Sequence, residues 1–200
     1  MKIYTQYVLP HVAPYFATRQ RRITGLVSVA TLAIFGALLG VLQYTRWNSY
    51  DWPTPFHFPS MLMAVALSMF GLCGSVTVVV AEVAVRAAVR TNEDLEPARR
   101  WMAIAVTSWF LFLFLEVVEW VHLVYVEQLG PTTQFGSVFL ALTGFHYLAA
   151  TCCMVWLGIA AARVEKRDLL APALYSHFLN LWWIVIVVTV YFPNADLRGI

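Results

Sequence analysis

Five apolar stretches, each long enough to cross a lipid bilayer, divide this chain and leave few folds open to it. A spanning helix needs about 20 mostly apolar residues, because a rise of ~1.5 Å per residue must cover roughly 30 Å of hydrocarbon. The stretches run from about Thr24 to Tyr44, Ser60 to Val85, Trp101 to Val126, Phe135 to Ala162 and Leu174 to Phe192. Between them lie four breaks: Asp51-Trp52-Pro53-Thr54-Pro55, the charged run Thr91 to Pro97, Gly130-Pro131, and Glu165 to Pro172. Backbone groups in lipid must pair within their own segment or in a closed barrel, so runs of this length predict helices. The expected fold is all-α, a polytopic bundle of five transmembrane helices. Residues 1–200 are expected to form a single membrane domain, without a separate soluble one.

Composition excludes the rival classes. Hydrophobic side chains make up 60% of the chain and charged ones 12%, about half the ~25% charge of soluble domains. A disordered chain, a disulfide scaffold and an ordinary soluble domain are all ruled out. A net charge of +2 gives no reason to expect nucleic acid as a partner. The segment Met1 to Arg22 is polar and aromatic, with Pro10 and Pro14, and shows no apolar core of a cleavable signal.

The positions of the charges carry more than their sum. Of the 13 basic residues, all but Arg46 and Arg198 fall before the first stretch, between the second and third, or between the fourth and fifth. Basic residues flank cytoplasmic helix ends because their translocation is unfavourable. The N-terminus is therefore expected inside and the C-terminus outside, which requires an odd number of spans. Trp47, Tyr50, Trp52, Tyr125 and Tyr191 cluster near the expected outer ends and Trp101 near an inner one, as headgroup-layer aromatics do. Cys73, Cys152 and Cys153 all lie in apolar stretches and are read as buried, inert thiols.

Titratable groups at membrane depth are costly, so each one asks for a partner or a function. The third stretch carries Glu116, Glu119 and His122 at steps of three, on adjacent parts of one helix face. Counted from the same membrane side, Glu116 and His146 both lie about 15 Å deep, so a pair across a helix contact is feasible. Three readings stay open for this group: mutual satisfaction between packed helices, proton handling, and metal or haem ligation. The last lacks support in the spacing. A di-iron site needs two Glu-x-x-His steps on different helices, and only Glu119-Trp120-Val121-His122 qualifies. A bis-histidine haem needs two imidazoles at one depth, but His177 is expected roughly 10 Å from the level of His146. His11 and His57 fall in loops on opposite sides. Glu82 precedes Arg86 by one turn and is explained by a local ion pair. His177 and Asn180, in a helix opening Tyr175-Ser176-His177, are read as contacts to a partner, to lipid or to each other. Phe135-Gly136-Ser137 and Thr143-Gly144 suit close helix packing.

The segment from Phe135 to His146, Phe-Gly-Ser-Val-Phe-Leu-Ala-Leu-Thr-Gly-Phe-His, strongly resembles a signature of subunit III of haem-copper terminal oxidases. Glu119-Trp120 resembles that family's Glu-Tyr pair one helix earlier. Tyr175-Ser176-His177-Phe178-Leu179-Asn180-Leu181-Trp182-Trp183 is similar to its last-helix motif Tyr-Trp-His-Phe-Val-Asp-x-x-Trp. The likeness covers about the C-terminal half, Trp101 to Phe192, and fits the family's short five-helix form. There are departures. The histidine that follows Thr-Gly-Phe-His in the family is Ala149 here, Ser176 and Asn180 replace a tryptophan and an aspartate, and the first stretch lacks the family's buried carboxylate. Glu116 is an additional acid, one turn from Glu119, in the helix where the family often has a glutamine.

The resemblance implies an accessory subunit with no catalytic, cofactor-binding or metal-binding residue of its own. It would pack on the catalytic subunit I of a proton-pumping oxidase, beside further oxidase subunits, and bind phospholipid. Haem and copper would sit in the partner subunits, and electrons would come from cytochrome c or quinol. The expected location is a bacterial plasma membrane, with a respiratory supercomplex as a wider setting. Glu116, Glu119, His122 and His146 are then expected to form a buried polar packing network, with Tyr175, His177 and Asn180 at partner or lipid contacts. Three alternatives stay open at this point: a small transporter using Glu116, Glu119 and His146, a membrane-embedded metal monooxygenase or haem subunit, and the related accessory subunit of a nitric oxide reductase.

Overall fold

The computed structural model describes residues 9–49, 60–164 and 169–192, with side chains from Arg22 onward. The Asp51–Pro55 break, Tyr50, His57, the Glu165–Asp168 part of the last break, and Arg198 lie outside the described residues, as does the side chain of His11. Helices α1 (Leu9–Asn48), α2 (Met61–Thr91), α3 (Glu96–Tyr125), α4 (Gln134–Ala162) and α5 (Leu170–Ile186) follow one another, and α5 continues as a π-helical turn over Val187–Tyr191. Among the described residues there is no strand. Five helices are long and apolar enough to cross a membrane, α1 through its Arg22–Asn48 part and α5 together with its π turn. The chain is a multi-pass membrane protein.

The helices run past the apolar stretches because polar first and last turns satisfy helix ends that hydropathy does not register. Helix α3 starts at Glu96 rather than near Trp101, with Glu96 and a proline in its first turn. An acidic side chain favours the N-terminal dipole, and proline lacks an N–H that would be unpaired there anyway. The Asp94 carboxylate accepts the Glu96 N–H at 3.2 Å. Before it, α2 closes on Asn92 in the left-handed region (φ 58°), and the Glu93 N–H returns to the Ala88 carbonyl at 3.0 Å. Thr133 caps α4, its hydroxyl accepting the Gly136 N–H at 3.0 Å.

Packing is unequal around the bundle. The tight turn at residues 92–95 lays α3 along α2, and α3 also packs on α4. Helix α5 sits at the centre, touching α1, α2 and α4, while α1 lies at the edge against α4 and α5. Half of the apolar window of α5 is buried but only 17% of that of α1, so the Arg22–Asn48 part of α1 faces mostly outward. The face α2 turns inward reads Ala64, Leu67, Gly71, Gly74, Ser75, Val78, Ala81, Val85 and Ala88. Lipid tails are as apolar as leucine, so helices associate in a membrane through close van der Waals contact and interhelical hydrogen bonds. Small residues permit that approach. A Cβ on Gly74 would lie 2.8 Å from the Trp109 ring, and one on Gly71 would lie 2.8 Å from Asn180 Oδ1. The filling on the other side is aromatic: Trp109, Phe112, Phe135, Phe139, Trp183 and Tyr191 are almost wholly buried.

Candidate functional site: buried polar groups between the helices

Two kinds of polar contact cross the bundle. The first kind ties indoles to hydroxyls. Trp109 on α3 donates to Ser176 on α5 at 3.0 Å, Trp183 on α5 donates to Ser68 on α2 at 3.1 Å, and Trp120 on α3 donates to Thr143 on α4 at 3.0 Å. Ser75 on α2 extends the first tie, lying 3.2 Å from the Ser176 hydroxyl and 2.9 Å from the Gly71 carbonyl. An indole N–H buried in hydrocarbon has only such an acceptor to turn to, which fixes each pair of helices in register. Trp109 reaches Ser176 because Gly74 leaves the space its ring occupies. Ser176 thus receives an indole from the neighbouring helix.

The second kind involves carboxyls. Glu119 is buried, and its Oε2 accepts the Tyr191 hydroxyl at 2.7 Å, a tie from α3 to the π turn after α5. Tyr191 was expected in the headgroup layer. It is instead 1% exposed, because the wider π turn ends α5 with this ring directed into the bundle against Phe139 and Trp183. Glu116, one turn earlier, is completely buried, and neither of its oxygens has a hydrogen-bond partner in the chain.

The feasible Glu116–His146 pair does not form. His146 is fully buried, but its Nε2 lies 3.2 Å from the Leu179 carbonyl of α5. A carbonyl can only accept, so Nε2 carries the hydrogen and the ring is held toward α5. Its neighbours are rings: Phe112 at 5.5 Å, Trp183 at 5.4 Å and Phe35 at 5.9 Å. The α3 residue level with His146 is thus Phe112, a turn short of Glu116. His146 also meets α5 two residues from His177, a step of about 3 Å along the axis, closer than the sequence arithmetic placed them. His177 is half-buried, and no hydrogen bond or ring contact among the described residues joins it to His146.

The remaining expectations divide. His122 is exposed on the bundle surface and takes no part in the buried group, because the helical step of three carries it off the inward face of Glu116 and Glu119. Tyr175 and Asn180, expected at partner or lipid contacts, are buried within the chain itself. Tyr175 packs on Trp156 and Phe178, and Asn180 faces Gly71 of α2. Cys153 is buried as expected, but Cys73 and Cys152 lie exposed on the outer surface of the bundle. The Glu82–Arg86 pair forms at 2.9 Å, and Trp47 and Tyr125 are exposed near helix ends as belt aromatics. Among the described residues no group of three or more His, Cys, Asp or Glu side chains converges as a metal site would require.

Sequence reasoning passed over Ser75, Ser68 and Trp109, and read Tyr191 only as a headgroup-layer aromatic. Ser75 carried a signal, since with Gly71, Gly74 and Val78 it repeats at helical spacing as a small and polar face. Tyr191 carried none, because a straight α-helical count does not anticipate a π turn.

No family model matches the chain. Among characterised proteins it is similar to the cytochrome c oxidase subunit 3 of Bacillus subtilis, 30% identical over 170 residues that cover 79% of this chain and 78% of that one. It is similar to the cytochrome c oxidase subunit 3 of Alkalihalophilus pseudofirmus, 28% identical over 167 residues and 79% of each chain. A shorter likeness, 31% over 100 residues covering 46% of this chain and 48% of that one, links it to the cytochrome bo(3) ubiquinol oxidase subunit 3 of Pseudomonas putida.

Proposed function

The chain belongs to the cytochrome c oxidase subunit 3 family, and from that membership we propose that it is the non-catalytic subunit III of a proton-pumping haem-copper oxidase. In this reading it holds no haem or copper itself. It packs on the catalytic subunit, stabilises it during turnover and binds phospholipid, while partner subunits receive electrons from cytochrome c or quinol. It lies in a bacterial plasma membrane as one domain, with its N-terminus inside and its C-terminus outside.

The observation that carries this reading is where the family-like residues go. Thr143, His146, Tyr175, Ser176, Asn180 and Trp183 are all buried in contacts between helices of this chain. Residues shared for packing support a structural subunit, whereas a transporter would line a path with them. The surface left over suits partners and lipid. Most of the Arg22–Asn48 part of α1 is uncovered, His177 is half-buried midway along α5, and a groove of about 250 Å³ between α3 and α4 is lined by Phe110, Phe114, Val117, Tyr147 and Met154. An acyl chain matches that apolar lining.

Purification of the native complex through a tag on this chain tests the proposal. We expect a haem-copper catalytic subunit to copurify and to carry the whole reduced-minus-oxidised spectrum. A strain lacking the chain should keep its haem and lose oxidase activity faster during turnover. Haem retained by this chain alone, or a native complex without a catalytic oxidase subunit, overturns the reading.

A further inference from the structure

Glu116 is the one carboxyl at membrane depth to which neither the packing ties nor the accessory role gives a task. It is 0% exposed, and both of its oxygens lack a partner in the chain. Glu119, three residues on and 4% exposed, places one oxygen on the Tyr191 hydroxyl and leaves the other without a partner. Among the described residues, no cation is in contact with them. His146 on α4 is turned away from both carboxyls, its Nε2–H committed to Leu179 and its Nδ1 without an acceptor, so the ring is neutral. From the π turn after α5 comes Tyr191, which is uncharged, and the inward face of α2 carries no ionisable side chain from Ala64 to Ser75. All the paired cations of the described helices, such as Arg86 and Arg100, sit on exposed turns at the α2–α3 end.

A lone carboxylate cannot be held in such surroundings. Moving one from water into a medium of low dielectric without a partner is so unfavourable that the group takes up a proton instead. Two carboxyls one turn apart repel when both are ionised, so they titrate as a pair and not as independent acids. The two are unequal. A carboxylate that accepts a phenol O–H gains a strong charge-assisted hydrogen bond, which only Glu119 has.

We propose that Glu116 and Glu119 form a buried proton-binding site, in which Glu116 carries a proton as the neutral acid and Glu119, held by Tyr191, is the position that exchanges one. The ligand is H⁺. Each uptake converts one carboxylate to a carboxylic acid, with no other bond made or broken. The site lies between α3 and the π turn that closes α5, so the turn sets its strength by delivering the Tyr191 hydroxyl. It needs no metal, haem or substrate in this chain and adds to the accessory role a store for a proton within the membrane.

Infrared difference spectroscopy on the intact complex, in H₂O and in D₂O, tests this directly. A carbonyl band of a protonated carboxyl, shifted on deuteration, should be present in the wild type and lose one group's intensity in Glu116→Gln. In Glu116→Asp it should persist at a changed frequency, and this variant serves if the glutamine variant fails to assemble. Tyr191→Phe should move only the pH at which the second carboxyl band appears. A complex that assembles with Glu116→Gln or Glu116→Asp and shows an unchanged carboxyl spectrum overturns the proposal. So does a Glu119→Gln variant in which no pH-dependent carboxyl band is lost.

Discussion

The indole–hydroxyl ties and the carboxyl pair lie in the same bundle, yet they treat polar groups in opposite ways. Each of the three indole N–H groups of Trp109, Trp120 and Trp183 meets a hydroxyl on another helix, and those hydroxyls also reach a backbone carbonyl or, for Ser176, the Ser75 hydroxyl. The carboxyl pair is incomplete: three of its four oxygens have no partner in the chain. Closed contacts in lipid fix helix register and ask for nothing further. Open ones lower stability, and local rules are broken in this way mainly where a site does something besides hold the fold. The ties are the scaffold, and the pair is what the scaffold carries.

The largest expected effect lies in the closed set. Trp109→Ala would empty a fully buried site, remove the donor to Ser176 and leave Gly74 facing a void. A loss of about 3–5 kcal/mol is expected, read as a fall in thermal unfolding temperature of the purified complex or as loss of this chain from it. If Trp109→Ala costs no more than a surface change such as Val155→Ala, the indole ties are not the scaffold. Gly74→Ala comes next. Its new methyl would meet the Trp109 ring at 2.8 Å, and overpacking of that kind costs about 1–3 kcal/mol. The double variant Gly74→Ala with Trp109→Phe should recover part of that loss, since the smaller ring frees the space; a purely additive result would place the strain elsewhere.

The scaffold was partly legible in the sequence, and what was hidden follows from the solvent. In water, a helix shows its buried face as its apolar face. In lipid both faces are apolar, so hydropathy located five spans but could not say which side of each turns inward. Only small and polar residues mark that side, as Gly71, Gly74 and Ser75 do on α2 and Thr143 does on α4. Glu116, Glu119 and His146 stood out for their cost, and all three are buried. Their pairing was not legible, because depth counted along straight helices errs by a turn and His146 met a backbone carbonyl that no side-chain pattern announces. Tyr191 looked like a belt aromatic because tyrosine at a helix end usually is one. A π turn changed which way it faced.

Tyr191→Phe separates the two sets with a smaller change. It keeps the ring packing against Phe139 and Trp183 and removes only the hydroxyl that Glu119 accepts. Interhelical hydrogen bonds in membranes are worth about 1–2 kcal/mol at most, so the unfolding temperature should fall modestly. Trp120→Phe, which removes the donor to Thr143, should cost a similar amount. The two should differ in one respect: Tyr191→Phe alone should alter the carboxyl infrared spectrum. If both variants change it, the pair is coupled to the scaffold as a whole, and the distinction between tie and site fails.

Glu116→Gln should have the smallest effect on stability, less than about 1 kcal/mol. The amide has nearly the shape of the neutral acid, and neither finds a partner in the packed chain, so the buried polar penalty is about the same before and after. An ionised Glu116 would behave otherwise. It could persist only beside a compensating charge, and removing one member of a buried ion pair costs about 3–5 kcal/mol. A thermal shift of that size in Glu116→Gln would show that the carboxyl is a counter-ion in the assembled complex, supplied with its cation by another subunit. A negligible shift, together with a lost carboxyl band, leaves the neutral acid as the state that the packing selects.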